Sequence, residues 1–241
     1  MSAEHSFSKE NLDQCFRELG KEYRRLGGKT MPAEIILVGG AAILANYGFR
    51  DMTYDIDAVI QAASSMKDAI SHVRDRFNLP VGWLNSDFIS TKSYTPKLRQ
   101  YSEYYKTFSN VLTVRTLSGE YLVAMKLMSN RPYKNDISDI IGILWEHQNR
   151  NSPISMEQIS RAVTNLYGGW ETLPENAKPL LERILQDNNL QALYQQSRNE
   201  EKEAKGILIE FTKDYPGVVK EDNLENILKA LKNRKKDHLE R

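Results

Sequence analysis

The segment from Glu34 to Ile60 constrains the fold of this chain more than any other. It opens with an apolar run of strand length and strand composition, Ile35 to Val38, which leads directly into Gly39 and Gly40. A helical pattern of small residues follows from Ala41 to Tyr47, and a second apolar strand comes after it. Alternating strands and helices are typical of folds in which helices cover a sheet. The chain is therefore predicted to be an α+β protein with a mixed sheet of the α/β type.

The second strand carries two acids, Asp55 and Asp57, among apolar neighbours. Side chains two apart on a strand point to the same face. Two carboxylates held that close repel each other, and burying them is costly. A hard cation such as Mg²⁺ (or Mn²⁺) takes oxygen ligands and leaves room for phosphate. The pair therefore predicts a metal site, and the alternative is an edge strand with two solvated acids.

The paired glycines predict a phosphate site beside those acids. A strand that ends in Gly39-Gly40 and opens a helix lets the backbone approach a ligand closely. The helix N-terminus then offers free N–H groups and the positive end of its dipole to a phosphate. A tight strand-to-helix turn without a ligand is the alternative, since two adjacent glycines are weak evidence alone. The combination with the acid pair favours the phosphate site.

These motifs together resemble the signature of the nucleotidyltransferase (polymerase-beta-like) superfamily. The resemblance rests on Gly39-Gly40 followed by the segment Thr53 to Asp57, with 14 residues between Gly40 and Asp55, a long spacing for this signature. It implies that the glycine turn holds a nucleoside triphosphate as substrate. It also implies that Asp55 and Asp57 bind Mg²⁺, which bridges the phosphates and assists attack on the α-phosphorus.

Two residues between the motifs are further candidates for nucleotide binding. Arg50 could reach a triphosphate or a nucleic-acid backbone, and the alternative is an arginine on a surface loop. Thr53 could shape the metal site through its hydroxyl, and the alternative is a residue placed there by strand propensity.

A lysine interrupts the most apolar helix of the chain. The pattern from Glu120 to Ser129 is apolar on nearly every side, as in a buried helix, and Lys126 stands in its middle. The lysine either extends outward along its aliphatic stem or points into a polar cleft. Because a buried lysine costs free energy unless it is paired, a cleft beside Asp55 and Asp57 is the favoured location.

The next predicted helix begins with a cluster of charges, Arg131, Asp136 and Asp139. The plain interpretation is that Asn135 or Asp136 caps this helix and that Asp139 favours its positive dipole end. The order of a buried helix with a central lysine, an arginine and Asp-x-x-Asp also resembles one branch of the superfamily. That branch holds the abortive-infection (AbiEii-like) nucleotidyltransferase toxins and uncharacterised bacterial relatives, and the resemblance covers roughly residues 30–145.

This second resemblance implies roles for the same residues. Lys126 would neutralise phosphate charge, and Arg131 would help to bind the nucleotide. Asp136 or Asp139 would be a third carboxylate, acting as a base or as a structural partner of Lys126, and the choice between the two acids stays open. The branch also implies tRNA or another RNA as acceptor and a cognate antitoxin as partner.

Composition sets broad limits on the class of protein. The chain has 241 residues, which allows one large domain or two small ones, and its net charge of +1 selects neither nucleic acid nor membrane as a partner. The single cysteine, Cys15, excludes an intrachain disulfide and a cysteine-based zinc site. The N-terminus lacks the apolar core of a signal peptide, and no apolar run reaches transmembrane length. A cytoplasmic protein without a membrane partner is expected.

Several further elements follow from periodicity and from breaking residues. A helix is predicted over residues 8–26, with Ser8 as its N-cap and Gly27-Gly28 as its end, and a second helix over 64–78. A strand is predicted over 111–117. Residues 83–105 show no clear period. After Ser152-Pro153 only helical patterns occur, over about 155–166, 175–187, 189–212 and 222–238. The predicted domains are a nucleotidyltransferase-like domain, residues 1–150, and an α-helical domain, residues 151–241. The basic end, residues 232–241, either contacts RNA phosphate or is a solvated helix end.

The leading hypothesis is a Mg²⁺-dependent nucleotidyltransferase that moves a nucleotidyl group to an acceptor hydroxyl. Besides RNA, the acceptor could be a protein side chain or a small molecule such as an aminoglycoside antibiotic. A catalytically silent relative that binds nucleotide without turnover is the main alternative. A third carboxylate at the metal face would favour the enzyme over the silent protein.

Overall fold

The computed structural model of the protein describes residues 6–131, 134–220, 223–224 and 226–231. The elements follow one another along the chain as α1 Lys9–Tyr23, β1 Ala33–Leu37, α2 Gly39–Asn46, β2 Ile56–Gln61, α3 Ser65–Phe77, β3 Leu84–Asn85, β4 Ser102–Phe108, β5 Leu112–Leu117, α4 Gly119–Ser129, α5 Asp136–Asn149, α6 Met156–Tyr167, α7 Ala177–Leu185 and α8 Leu190–Asp214.

The five strands form one mixed sheet in the order β3-β2-β1-β5-β4. The central strand β1 runs antiparallel to β2 and parallel to β5. At the edges, β3 is parallel to β2 and β4 is antiparallel to β5. The mixed sheet confirms the predicted α+β fold class.

Strand β1 lies at the centre of the core. Its consecutive residues Ile35, Ile36 and Leu37 are all buried. Because successive side chains on a strand point to opposite faces, both faces of the sheet are covered. Helix α1 packs against α3 and β4, whereas α2 packs against β2, β5 and α4. The glycine turn therefore begins from a strand that is enclosed on both sides.

The ends of α1 and α6 agree with the capping signals in the sequence. Ser8 caps α1 by accepting the N–H of Asn11, and a single π-helical turn carries the helix on to Gly27, whose φ is +102°. Only glycine adopts that conformation without strain, so the helix stops there. Ser155 and Gln158 form the predicted reciprocal capping box at the start of α6.

The segment without clear periodicity contains a strand too short to detect. Strand β3 has two residues, and turns of 3₁₀ helix fill much of the chain that connects it to β4. Trp83, just before β3, is fully buried and donates its indole N–H to the carbonyl of Ile70. Asn85 ends the strand because its side-chain oxygen accepts the N–H of Asp87, which turns the chain away from the sheet.

The C-terminal helices share the core of the sheet region. Helix α6 packs on α4, and α8 packs on α5. One continuous cluster of buried apolar side chains includes residues from Phe7 to Tyr194. The division into domains at residue 150 stays a prediction. Residues 226–231 are helical as predicted, the rest of the helix predicted over 222–238 is described only in part, and the basic end, residues 232–241, lies outside the described residues.

No helix in the described ranges combines the length and the apolar character that crossing a bilayer requires.

Candidate nucleotide-binding site

The glycine turn lies beside Asp57 of the acid pair. Gly39 has a φ of +56°, in the left-handed region that favours glycine, and a Cβ there would lie 3.6 Å from Oδ2 of Asp57. Helix α2 begins at Gly39, and no side chain caps its N-terminus. The first N–H groups of any helix have no intrahelical acceptor, and no side chain supplies one here. A site with free backbone donors lies next to a carboxylate of β2.

The second glycine allows a loop to close over the turn. A Cβ on Gly40 would lie 2.7 Å from Oγ1 of Thr53 and 2.9 Å from Nη2 of Arg50, which is closer than real contacts allow. The hydroxyl of the buried Thr53 donates to the carbonyl oxygen of Asp55 at 3.2 Å. This hydrogen bond gives Thr53 a part in shaping the approach to the acid pair, beyond strand propensity alone.

The two motif acids differ in exposure. Asp55 is exposed just before β2, and Asp57 is half-buried within it. Burial and then the charge of Asp55 raise the pKa of Asp57, while the side chain of Asn85 and the guanidinium of Arg131 act in the opposite direction. Burial is the larger cause of the raised pKa of Asp57, and repulsion by the neighbouring Asp55 adds to it.

A divalent cation would relieve that repulsion. Among the described residues, no three Asp, Glu, His or Cys side chains converge as a complete protein-only metal site. Mg²⁺ is commonly bound by one or two carboxylates together with the phosphates of its substrate. Asp55 and Asp57 fit a cation shared with a nucleotide, and their role as ligands stays a prediction.

Two polar residues near Asp57 were missed by sequence reasoning. Strand β3 pairs with β2 so that Asn85 lies opposite Asp57, and the charge of Asp87 also raises the pKa of Asp57. Asn85 comes directly after an apolar pair, Trp83-Leu84, and Asp87 follows two positions later. That apolar-to-polar change was the available signal, but two strand residues are too few to show a period.

Lys126 is buried in a polar cluster formed by the next helix. Only 8% of the residue is exposed, so extension into solvent is excluded. Its Nζ lies 2.9 Å from Oδ1 of Asp136 and 2.7 Å from Oδ2 of Asp139. Within the described part of the chain, no ion pair joins it to Asp55 or Asp57. The polar environment was predicted correctly, but the acids that contact the lysine belong to α5.

Two arginines extend this cluster into a chain of five alternating charges. Nη1 of Arg50 donates to both carboxylate oxygens of Asp139, at 2.8 and 2.7 Å. Nε of Arg131 donates to Oδ2 of Asp136 at 2.9 Å. We call this series of ion pairs, Arg50–Asp139–Lys126–Asp136–Arg131, the charge chain. Its three cations and two anions leave a net charge of +1.

Attraction between opposite charges outweighs burial at Lys126 and at Asp136. Burial alone lowers the pKa of Lys126, but Asp136 and Asp139 outweigh burial and raise it above its ordinary value. Burial raises the pKa of Asp136, and Lys126 and Arg131 more than compensate, bringing it down to about 2. Opposite charges therefore stabilise each other where water cannot.

The arginines bring the charge chain to the glycine turn and to the acid pair. Arg50 lies against Gly40, and its side chain is only 16% exposed, so the interpretation as a surface-loop arginine is wrong. Arg131 has a side chain 40% exposed, and its charge acts on Asp57. The charge chain thus connects the two halves of the sequence motif.

Both candidates for a third carboxylate are engaged in ion pairs. Asp136 contacts Lys126 and Arg131, and Asp139 contacts Lys126 and Arg50. The alternative of a structural partner for Lys126 fits both positions. A role of either acid as metal ligand or base stays a prediction.

The mixed sheet, the glycine turn and the paired acids define a nucleotidyltransferase-like protein. The family model described as nucleotidyltransferase of unknown function, DUF6036, matches residues 14–167, and the chain belongs to this family. No curated protein and no solved structure matches the chain. The match runs from within α1 to the end of α6, so α7 and α8 lie beyond it.

A groove of about 1300 Å³ opens beside the charge chain. Asn130 and Ile137 belong to its lining and are the sequence neighbours of Arg131 and Asp136. Among the described residues that line it, the charged ones are all cations: Lys92, Arg183 and Lys229. The rest of the lining is a mixture of polar and apolar side chains. The groove is therefore suited to an anionic ligand with apolar or aromatic parts.

Proposed function

We propose that the protein is a metal-dependent nucleotidyltransferase that moves a nucleotidyl group from a nucleoside triphosphate to an acceptor hydroxyl. The observation that carries the proposal is the contact between the glycine turn and the acid pair, where Gly39 approaches Oδ2 of Asp57. The backbone donors suited to phosphate and the carboxylates suited to a cation are adjacent. The family match supports the same general class of reaction.

The triphosphate would lie at the N-terminus of α2. The N–H groups of Gly39 and Gly40 would donate to its oxygens, because no side chain caps this helix. Arg50 and Arg131 are the cations placed to meet the remaining phosphate charge. Lys126 would act on the phosphates through these arginines, because the acids of α5 already surround its ammonium.

Asp55 and Asp57 would hold Mg²⁺ or Mn²⁺. When bound, the cation supplies charge neutralisation at the phosphates and lowers the pKa of the attacking hydroxyl. The carboxylates would orient that cation, and the arginines would stabilise the negative charge that develops on the leaving pyrophosphate.

An RNA acceptor, such as a tRNA end, is the version of the proposal that the groove favours. Its three cations can contact phosphates, and the apolar side chains in its mixed lining can contact bases. A bacterial toxin–antitoxin setting with a cognate antitoxin belongs to this proposal through the resemblance to abortive-infection toxins. The proposal includes a cytoplasmic location, where nucleoside triphosphates and RNA meet. A protein side chain or an antibiotic hydroxyl is the alternative acceptor.

A catalytically silent, nucleotide-binding protein is the second candidate. The observation in its favour is that Asp136 and Asp139 both lie in ion pairs, which leaves two carboxylates at the proposed metal site. Such a protein would bind nucleotide without turnover.

Isothermal titration with each of the four nucleoside triphosphates, with and without Mg²⁺, tests the nucleotide site. Wild type is expected to bind at least one of them in a metal-dependent manner. The double variant Asp55→Asn/Asp57→Asn should lose the metal dependence, while Asp214→Asn, at an exposed position in α8, should bind like wild type. Folded wild type that binds none of the four would contradict both candidates.

A transfer assay then separates the enzyme from the silent protein. The nucleotide that binds is supplied with a label on its α-phosphate, together with total RNA, the protein itself or an aminoglycoside. Label that becomes covalently attached to RNA supports the RNA acceptor, and label on protein or antibiotic supports the alternatives. Tight binding without transfer to any of them favours the silent protein.

A further inference from the structure

Helix α8 supplies a buried carboxylate to the first turn of α5. Glu201 is 4% exposed, and its Oε1 accepts the N–H of Ile137 at 3.1 Å and the N–H of Ser138 at 3.0 Å. Both donors lie between Asp136 and Asp139, the two anions of the charge chain. A side chain from another helix therefore caps the turn that carries those anions.

The cap is not redundant with a local one. Asn135, the N-cap residue of α5, makes no side-chain hydrogen bond to the helix start. The first N–H groups of a helix need an outside acceptor, and Glu201 provides it for two of them. Its second oxygen, Oε2, is buried with no partner among the described residues. Oε1 alone therefore makes the two hydrogen bonds to α5.

The same helix also holds the loop that carries Arg50. The hydroxyl of Tyr194 donates to the carbonyl of Phe49 at 3.1 Å. The ammonium of Lys205 lies over the ring of Tyr54, 5.4 Å from its centroid. Helix α8 thus contacts both the loop that carries Arg50 and the first turn of α5 that carries Asp139. This helix lies beyond the residues that the family model matches.

We propose that Glu201 is a positioning residue of the nucleotide site, which acts by fixing the first turn of α5 and through it the charge chain. The statement about nucleotide rests on the proposed function, whereas the statement about the charge chain does not. Two hydrogen bonds to adjacent N–H groups set both the position and the rotation of the turn. The first turn of α5 then determines where Asp139 holds Arg50 and where Asp136 holds Arg131.

Three variants separate positioning from simple loss of stability. Glu201→Ala removes the acceptor, and Glu201→Asp withdraws it by one methylene. Glu201→Gln keeps an acceptor oxygen of the same reach without the charge. Glu200→Ala is the matched control, because Glu200 is the exposed neighbour on the same helix and pairs only locally, with Gln196.

The first measurement is amide hydrogen exchange, compared at equal distances below the melting temperature of each variant. Glu201→Ala should speed exchange in the first turn of α5 and also across residues 49–55, because release of Asp139 frees Arg50. Glu201→Asp should show a smaller effect. Glu201→Gln and Glu200→Ala should match wild type. Unchanged exchange across residues 49–55 in the alanine and aspartate variants would overturn the proposal.

The second measurement is the nucleotide affinity of the same variants in the presence of Mg²⁺. Glu201→Ala should weaken binding by about tenfold, the scale expected when a charge-assisted contact is misplaced, and glutamine should restore it. Loss of stability with unchanged affinity would show that Glu201 is only structural. If wild type binds no nucleotide, the proposed function fails, and the exchange result still decides whether Glu201 positions the charge chain.

Discussion

Lys126 holds two buried carboxylates that would otherwise repel each other. We expect Lys126→Met to lower the free energy of unfolding by about 3–5 kcal/mol, because it leaves Asp136 and Asp139 without their shared cation. Urea denaturation followed by circular dichroism measures the change. Lys67→Met, at an exposed position in α3, should change stability by less than about 0.5 kcal/mol. Equal effects of the two substitutions would mean that the ion pairs contribute nothing.

Glu201 makes stability depend on pH in a predictable direction. Burial raises its pKa from 4.5 to about 7, with Asp139 also raising it and the contacts to Ser138 lowering it. Because the folded state then binds the proton more tightly than the unfolded state, the stabilisation by protonated Glu201 is complete below pH 4.5. It is lost as pH rises to about 7.

Glutamine at this position does not titrate. Between pH 4 and pH 8, the stability of Glu201→Gln relative to wild type should therefore shift by about 3 kcal/mol in favour of the variant. Chemical denaturation at a series of pH values measures this difference. A difference that stays constant over the range would show that the carboxyl titrates normally.

At the scale of the element, the turn from β1 to α2 depends on the absence of a side chain. Gly40→Ala should cost about 1–3 kcal/mol, because the new methyl group overlaps Thr53 and Arg50. It should also weaken nucleotide binding by displacing the arginine. Thermal unfolding and titration measure the two effects.

Helix α8 offers the matched control for that substitution. A Cβ on Gly206 meets nothing within 4 Å, so Gly206→Ala should raise stability by about 0.5–1 kcal/mol. If both alanines stabilised the protein, the close approach at Gly40 would not matter for folding.

Elements whose signal is local could be predicted from the sequence. The bounds of α1 and α6 followed from apolar periodicity and capping residues, and the contact of Asp57 with the glycine turn follows from one strand–helix–strand unit. Strand β3 was missed because two residues carry no period. Its own residue Asn85 and the nearby Asp87 were missed with it.

The link between Arg50 and the rest of the charge chain could not be predicted because it joins residues that are distant in sequence. Arg50 and Asp139 are 89 positions apart, and their pairing depends on how α5 packs beside the turn. Periodicity predicted a buried helix around Lys126, but it could not decide whether the lysine extends outward or which acid it meets. Glu201 had no signal at all, since a glutamate within a charged helix is indistinguishable from a solvated one.

At the scale of the molecule, the sheet and the C-terminal helices share one core. We expect unfolding as a single cooperative transition, with a calorimetric enthalpy close to the van't Hoff enthalpy. Scanning calorimetry of the whole chain tests this. Two separated transitions, one assigned to residues 151–241, would instead support independent domains divided at residue 150.

The basic groove predicts a salt-dependent interaction with RNA. The double variant Arg183→Gln/Lys229→Gln should weaken binding and lower the slope of log K against log salt concentration by about 1.4, if each cation contacts one phosphate. Lys178→Gln, on the same helix but outside the lining, is the control. Fluorescence anisotropy at several salt concentrations measures the slope. An unchanged slope would place the RNA elsewhere.

The parallel pairing of β1 with β5 has a consequence for synthesis on the ribosome. Ile35 pairs with Val114, so the strand that ends in the glycine turn has no neighbour on that side until much of the chain has been translated. The charge chain then needs α5, and its cap needs α8, which is made later still. The glycine turn and the acid pair are thus synthesised well before the helices that complete the charge chain and its cap. Under the proposed function, a nascent chain would be unable to use nucleotide until α8 has been synthesised.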